Sequence, residues 1–476
     1  MYRHLKAAVP TRGDYTKTRP TIYKVPRELK RGEEDEGYAP VAARIGPLTA
    51  GSNKSTVELE SYKWCCVRQL IIRRVQSCSK EEDLMRRMPQ RDGDFIAGHL
   101  DLWLKSMKLL EPQIQASYSE DISHNSDDLA LNMLLDGCFI LHRLLKYARL
   151  GEREAEAEGG IAQDDDWTQV FGRVWVWQLV ATDLLLLENQ IPFFVLSKLF
   201  ELLGSRDDEP KDALVKGSLR LFRSLSPYML RSSSNSEIDY HGDGVRVHHL
   251  LHLFYCSVAG PTPQPSLGES ANIKHSSHQA ADVLVLDLPQ WIPCAKELEE
   301  AGVRFRKRKG ADSFLDIEFD SHKGILKIPP LRLYDFSNQL FRNLIAFEQT
   351  YPDTRCDITT YAVFMDCLIN TPEDMRILHL HGILVNQING EQDASRFFSR
   401  ICAQVRWPAD KNHLKDVMDK VNNYRGSRLH KWRAALVRNH FSNPWVTMSV
   451  LAAVLLLAMT ILQTTFTVYP YFNPPK

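Results

Sequence analysis

The chain has 476 residues, 44% of them hydrophobic and 25% charged, the balance of a folded protein with room for two or three domains or one large one. Its 59 basic and 59 acidic side chains cancel to a formal net charge of zero, which removes any whole-chain pull toward nucleic acid or an anionic surface. Nine cysteines lie scattered without a C-x-x-C spacing, so neither a zinc site nor a disulfide framework is indicated, and reduced thiols in a cytosol-facing domain fit the pattern.

Residues 1–10 contain no apolar core of the kind a signal peptide needs. The polar, basic stretch that continues to Arg31 reads as a flexible arm, with the folded domain expected from residue 22. The first helix is expected over about 55–74, where Leu59, Cys66, Leu70 and Val75 share a face. A second, over about 98–118, carries Leu100, Trp103, Leu104, Met107 and Leu110. The third is the strongest: Asp127 is a candidate N-cap, and Leu131, Leu134, Leu135, Cys138, Leu141, Leu144, Leu145 and Ala148 form a wide apolar stripe. An acidic, glycine-flanked insert follows at 151–166 and reads as a solvated loop, with docking of a basic partner as the alternative.

Residues 170–187 are almost uniformly apolar but contain Arg173, Gln178 and Asp183. That pattern predicts a central core helix rather than a membrane span. It ends at Glu188, Asn189, Gln190 and Pro192, a tight helix–helix junction. The amides there can satisfy loose backbone groups, and Pro192 suits the first turn of the next helix behind a polar cap. Residues 231–237 and 260–281, rich in Ser, Pro and His, read as linkers, the second being the best internal boundary.

Beyond them the period changes. Leu315, Ile317 and Phe319 alternate with acidic residues, and a turn through Gly324 leads to Ile325 and Ile328, predicting a β-hairpin. Helices resume near Asp335, near Thr359, at Thr371 (cap, with Pro372 and Asp374 in the first turn and Gly382 as the stop), and near Glu391. A basic helix from about Asn412 then leads into a basic neck over 425–444.

The end of the chain is uncharged from Ser442 to Pro475. Trp445 and Tyr469 bracket a run over 445–469 that fits the roughly 20 apolar residues of a membrane-crossing helix, with rings suited to the headgroup level. A core helix would need a partner on every side. The expectation is therefore a single-pass C-terminal transmembrane helix in the lipid bilayer, with a short tail over 470–476. Arg428, Lys431, Arg433 and Arg438 before it place the N-terminal body in the cytosol by the positive-inside rule, at the plasma membrane or an endomembrane. A translocated body would make Asn53 a glycosylation acceptor.

Catalytic signatures are absent: there is no G-x-S-x-G elbow, phosphate loop or H-E-x-x-H. Residues 242–244 (GDG) read as a turn. His248, His249 and His252 fall on an expected helix without obvious further ligands, so an ordinary amphipathic helix is the better account. The basic run 304–309 reads as a solvated strand edge that discourages foreign pairing, with a nuclear signal or anionic-lipid contact as alternatives. Glu348 and Asp366 are carboxylates that nothing in the sequence brings together. No catalytic, cofactor or metal residue is assigned, and nothing argues for an enzyme.

The segments 23–26 (YKVP), 38–40 (YAP), 45–47 (IGP), 136–140 (DGCFI), 187–194 (LENQIPFF), 324–329 (GILKIP), 341–349 (FRNLIAFEQ) and 443–445 (NPW) occur in this order. With them the chain resembles the plant family known as domain of unknown function 247, from about Ile22 to Phe472. The resemblance implies a plant protein without established catalytic activity, commonly with one C-terminal transmembrane helix. Some grass members of the family are similar to pollen-side determinants of self-incompatibility. Asp136, Gly137, Glu188, Asn189, Gln190, Pro192, Arg342, Asn343 and Glu348 are then expected as scaffold positions rather than ligand positions, and the loops at 151–166 and 260–281 as places for partner contacts. The reading is a mainly α protein: a large helical body over 22–424 with a small β-hairpin element, and a C-terminal transmembrane helix. Its expected role is non-enzymatic recognition or signalling with an unidentified protein partner. The alternatives are a membrane-tethered scaffold or an enzyme with an unrecognised site.

Overall fold

In a computed structural model of the chain, the described residues are 19–30, 37–49, 57–77, 92–122, 125–153, 176–204, 212–228, 247–260, 291–387, 394–407, 411–426 and 444–472. The expectations for Asn53, for the loops at 154–166, 231–237 and 261–281, for the turn at 242–244 and for neck residues Arg428, Lys431, Arg433 and Arg438 fall outside them.

The apolar stripe of the third expected helix becomes the centre of the N-terminal half. This helix, α3 (Ser126–Arg153), packs on α1 (Val57–Ser77), α2 (Asp92–Ser117), α5 (Phe193–Leu203) and α6 (Ala213–Leu221). Leu134, Cys138, Leu141, Leu144 and Leu145 are all buried, as the periodicity requires. Gly137 sits where α3 meets α5, and a methyl group there would overlap the Leu199 side chain. The sequence places a glycine at the point of closest approach.

Between α3 and α5 the expected core helix ends earlier, at Asp183 rather than Leu187. It is α4 (Val176–Asp183), followed by turns to Ile191. The apolar run continues to Leu187, but the chain leaves the helix because its carbonyls at Leu184 and Leu186 are taken by the Gln190 side chain, both at 2.7 Å. Pro192 is the N-cap of α5 in extended conformation, without a side-chain cap bond, rather than a first-turn residue behind a polar cap. Helix α7 (Leu250–Ala259) begins after His249, so His248 precedes the helix instead of lying on it.

The C-terminal half holds α8 (Ala295–Glu300) and two small sheets. β1 (Arg304–Lys307), β2 (Glu318–Asp320) and β3 (Ile325–Ile328) form one, in the order β1-β3-β2, and β4 (Leu331–Leu333) pairs in parallel with β5 (Leu384–Asn386) in the other. The β2–β3 hairpin is the one expected. The basic run before it is itself a strand, paired in parallel with β3. Around the sheets lie α9 (Ser337–Thr350), α10 (Asp357–Leu368), α11 (Pro372–Leu380), α12 (Phe397–Cys402) and α13 (Lys415–Gly426). Thr371 and Asp374 form a reciprocal capping box at the start of α11, with Pro372 in the first turn. A single cluster of buried side chains runs from Ile22 through both halves to Val421.

The expectation for the C-terminus is corrected. Residues Pro444–Phe472 form a helix, α14, but among the described residues no helix is long and apolar enough to cross a membrane. Thr460, Gln463, Thr464, Thr465 and Thr467 interrupt the apolar character of the second half of α14. The fold class is therefore mainly α with two small sheets, without the expected transmembrane helix over 445–469. The interface role expected of Trp445 and Tyr469 rested on that helix.

Candidate functional site: a buried polar clasp

The polar residues of the recurring segments converge on one structure. A strap, residues 19–30 and 37–49, largely extended but with short 3-10 turns at Arg27–Lys30 and Pro47–Thr49, lies over the turn that follows α4, and side chains from α1, α3, the turn and α9 reach up to hold its backbone. An extended strap has backbone N–H and C=O groups with no helix or sheet to satisfy them. Burial makes each unpaired group costly, by about 1–3 kcal/mol. The clasp residues supply the missing partners.

Asp183, at the end of α4 and 1% exposed, accepts the backbone N–H groups of Val41, Ala42 and Ala43 at 2.6 to 3.0 Å. Burial pushes its carboxyl up to about 6, against these three donors and the Gln339 side chain, which pull it down. Asn189 takes the next groups along. Its Oδ1 accepts from Ile45 N–H at 2.7 Å, and its Nδ2 donates to the carbonyls of Ala43 and Asp183, both at 2.9 Å. Asp136 of α3 accepts from Gly46 N–H at 2.8 Å and from Lys63 Nζ of α1 at 2.5 Å, while Lys63 also donates to the Arg44 carbonyl at 2.8 Å. This ion pair is buried and held on both sides by backbone groups, the condition under which a buried pair is tolerated.

Glu188 accepts from Val25 N–H and from Lys30 Nζ, each at 2.8 Å. Gln190, besides closing the turn, accepts from Leu251 N–H at 3.2 Å and so ties the turn to α7. Its own carbonyl accepts from the Tyr118 hydroxyl at 3.0 Å. Asn343 of α9 accepts from Leu187 N–H at 2.9 Å and donates to the Gly37 carbonyl at 2.9 Å, joining strap, turn and C-terminal half through one amide. Gly46 has φ +73°, and a Cβ there would overlap the Gln190 carbonyl, so the strap's closest approach requires glycine.

The strap also meets α2 and α7. Ser117 carbonyl accepts from Thr21 and Ile22 N–H at 2.9 and 2.8 Å. His249 caps α7 by accepting His252 N–H at its Nδ1, and its Nε2 faces the Thr21 carbonyl at 3.1 Å. Those two contacts fix a neutral tautomer, and burial together with the neighbouring histidines holds its pKa well below the usual range. His252 accepts His248 N–H at Nδ1 and is lowered to about 3, mainly by burial. His248 Nε2 meets the Tyr351 hydroxyl at 2.9 Å. The three imidazoles thus serve capping and packing roles. Among the described residues no group of three or more His, Cys, Asp or Glu is placed to hold a metal.

Of the two remaining expected residues, Glu348 lies apart from the strap, whereas the Arg342 side chain packs beside Gly37. Glu348, 4% exposed, faces the start of α10. It accepts from the N–H groups of Ile358 and Thr359, the Thr359 hydroxyl and the Tyr255 hydroxyl at 2.6 to 3.0 Å. Asp366 is not among its partners. Burial raises the Glu348 carboxyl to about 7 despite these donors. Arg342 donates to Asn338 Oδ1 at 3.0 Å and to the Arg400 carbonyl at 3.1 Å, linking α9 to α12.

Asp136, Glu188, Asn189, Gln190 and Asn343 therefore meet at the clasp. Gly137 and Pro192 shape its helices, and Arg342 and Glu348 fasten neighbouring elements. Sequence reasoning missed Asp183 and Lys63. Asp183 stood out only as a charge inside an apolar run, a signal that marks a buried acceptor as readily as a helix boundary. Chemically the clasp is closed, since its acceptors face donors of the chain itself.

The profile of a family described as plant protein of unknown function, DUF247, matches residues 22–459. A UPF0481 protein of Arabidopsis thaliana is 30% identical over 463 residues, covering 96% of this chain and 87% of its own length. A putative UPF0481 protein of the same plant is 23% identical over 523 residues, covering 95% of this chain and 91% of its own. No solved structure matches the chain.

Proposed function

The chain belongs to the plant DUF247 family, and on that premise we propose that it is a non-enzymatic recognition or signalling protein whose clasped body is a rigid frame for contacts made at its surface. One observation carries the reading. The polar side chains of the recurring segments, Asp136, Glu188, Asn189, Gln190 and Asn343, hold backbone groups of the strap and turn. A catalytic constellation needs an acid, base or nucleophile aimed at a space where substrate can sit; these groups are aimed at the protein's own peptide units. Strong polar investment without an open site suits a scaffold that presents variable loops. A pollen-side role in self-incompatibility is one form such recognition could take, and it rests on the family resemblance alone.

The test is an exchange of segments 151–166 and 260–281 between this chain and the Arabidopsis relative, with proximity labelling in plant tissue as the readout. Recognition requires that the labelled partner set follows the exchanged segments while the clasp is untouched. An identical partner set for both chimaeras overturns the reading.

A further inference from the structure

The basic run at 304–309 is left unexplained by the clasp, and the sheet gives it a setting. Among the described residues β1 is an outer strand, paired in parallel with β3 on one side only. Arg304 and Arg308 donate their backbone N–H groups to the Gly324 and Ile328 carbonyls. In a parallel ladder alternate residues face the same neighbour. The intervening Phe305 and Lys307 therefore turn their N–H and C=O groups away from β3, to the open side.

The side chains on this strand are of one sign. Arg304, Arg306, Lys307 and Lys309 are exposed, and Phe305 alone is buried. Arg308 donates to the Asp316 carbonyl at 2.9 Å, and Arg304 to the Lys323 carbonyl at 2.9 Å. Glu318 lies 3.5 Å from Lys327 and 3.9 Å from Arg308. Among the described residues no carboxylate pairs with Arg306, Lys307 or Lys309. An edge guarded only against aggregation needs a charge or two; this one offers a row of cations beside unpaired backbone.

The geometry points to β1 as a docking edge for an acidic, extended peptide segment of a partner protein, added as a further strand. The Phe305 and Lys307 backbone groups would supply the ladder. Arg304 and Arg306, on the exposed face, would meet carboxylates at alternate positions of the incoming strand. Apolar strands are disfavoured by the same cations, so the charge that guards the edge also selects what pairs with it. A second copy of this chain fits less well. Among the described strands the acidic one, β2, already has Glu318 near Lys327 and Arg308, and pairing β2 on β1 would be a head-to-tail contact rather than a two-fold one. This inference deepens the recognition reading, and rests on it, by naming a partner class.

The experiment uses the full chain and a short capped, fluorescein-labelled peptide alternating glutamate with valine, read by anisotropy. Three changes are compared. Lys307→Pro removes one outward N–H while leaving the β3 ladder intact, a change edge strands tolerate. The double variant R304E/R306E reverses the charge. A peptide N-methylated at alternate residues leaves the protein untouched and blocks only the new ladder. Saturable binding that weakens at least tenfold in all three cases is the expected result. Equal binding of the N-methylated peptide, or of the Lys307→Pro variant, would mean that charge alone is read, as at a lipid surface, and overturns the proposal. So does absence of saturation at millimolar peptide, or concentration-dependent self-association that R304E/R306E abolishes. None of these outcomes touches the chimaera test, so the edge can fail while recognition stands, and the reverse.

Discussion

Asn189 holds Ile45 as a neighbouring β-strand would: its side-chain oxygen accepts the Ile45 N–H at 2.7 Å while its amide nitrogen donates to the Ala43 carbonyl at 2.9 Å. One buried side chain stands in for a strand of sheet. Asn189→Ala strands two strap groups without partners, while the Asp183 carbonyl keeps the Leu186 N–H at 3.2 Å, and each stranded group costs about 1–3 kcal/mol. The variant should lose roughly 3 kcal/mol in urea unfolding. Asn189→Asp should do no better, because a carboxylate would face two carbonyls in place of the amide donor. A loss below about 1 kcal/mol for either would show that the strap contributes little to the fold.

Asp183 makes the complementary prediction. Its carboxylate accepts from three consecutive N–H groups, so Asp183→Asn presents a donor to donors. We expect a loss of about 2 kcal/mol and faster amide exchange at Val41, Ala42 and Ala43, with α10 unaffected. Hydrogen exchange resolved by residue distinguishes this from global unfolding, which would accelerate every amide alike.

Much of this was legible in the sequence, and the reasons differ by element. The α3 stripe, the β2–β3 hairpin and the Thr371–Asp374 capping box are local patterns, in which a few neighbouring residues determine the outcome. Glu188, Asn189, Gln190 and Asn343, expected as scaffold positions, each bind backbone groups of the strap or turn. What they hold was not legible, because Asn343 and Gly37 are joined only by the fold. The end of α4 was misplaced for the same reason: apolar periodicity continues to Leu187, and the Gln190 amide that closes the turn acts from beyond it. For the run at 304–309, read as a solvated strand edge, the parallel pairing with β3 was not legible, since the strand shows only Phe305 to the core. Residues 22–30, read in the sequence as part of a polar arm, are fastened through Ile22, Val25 and Lys30.

Two glycines should separate strain from crowding. Gly46 has φ +73° and abuts the Gln190 backbone carbonyl. Gly46→Ala must therefore deform backbone on both sides, and we expect a loss of about 2–3 kcal/mol. Gly137 is helical and abuts only the tip of Leu199. There an added methyl is partly offset by alanine's helix propensity, worth about 1 kcal/mol, and Gly137→Ala should cost about 1 kcal/mol or less. Thermal unfolding of the two variants side by side gives the order, and Gly137→Ala being the worse would contradict the strap geometry.

Glu348 provides the pH test. Burial raises its folded pKa to about 7 from the ordinary glutamate value of 4.5, so between those values the folded state binds more protons than the unfolded one. Stability from this group is present below about pH 4.5 and is lost as the pH rises through 7. The buried His249 and His252 act in the opposite sense. Their folded pKa values are depressed, and their contribution is lost as the pH falls below the ordinary 6.5. The wild-type profile is therefore a sum of opposing terms, and only a difference isolates Glu348. Glu348→Gln cannot titrate, and it also presents an amide to the donors of Ile358 and Thr359, so it should be the less stable protein at every pH. The gap between the two proteins should widen by on the order of 2 kcal/mol from pH 8 to pH 5, as the wild type gains a proton that the variant cannot. Urea unfolding of both at the two pH values measures it. A gap that narrows on acidification would mean that the four donors around Glu348, and not its burial, decide its charge.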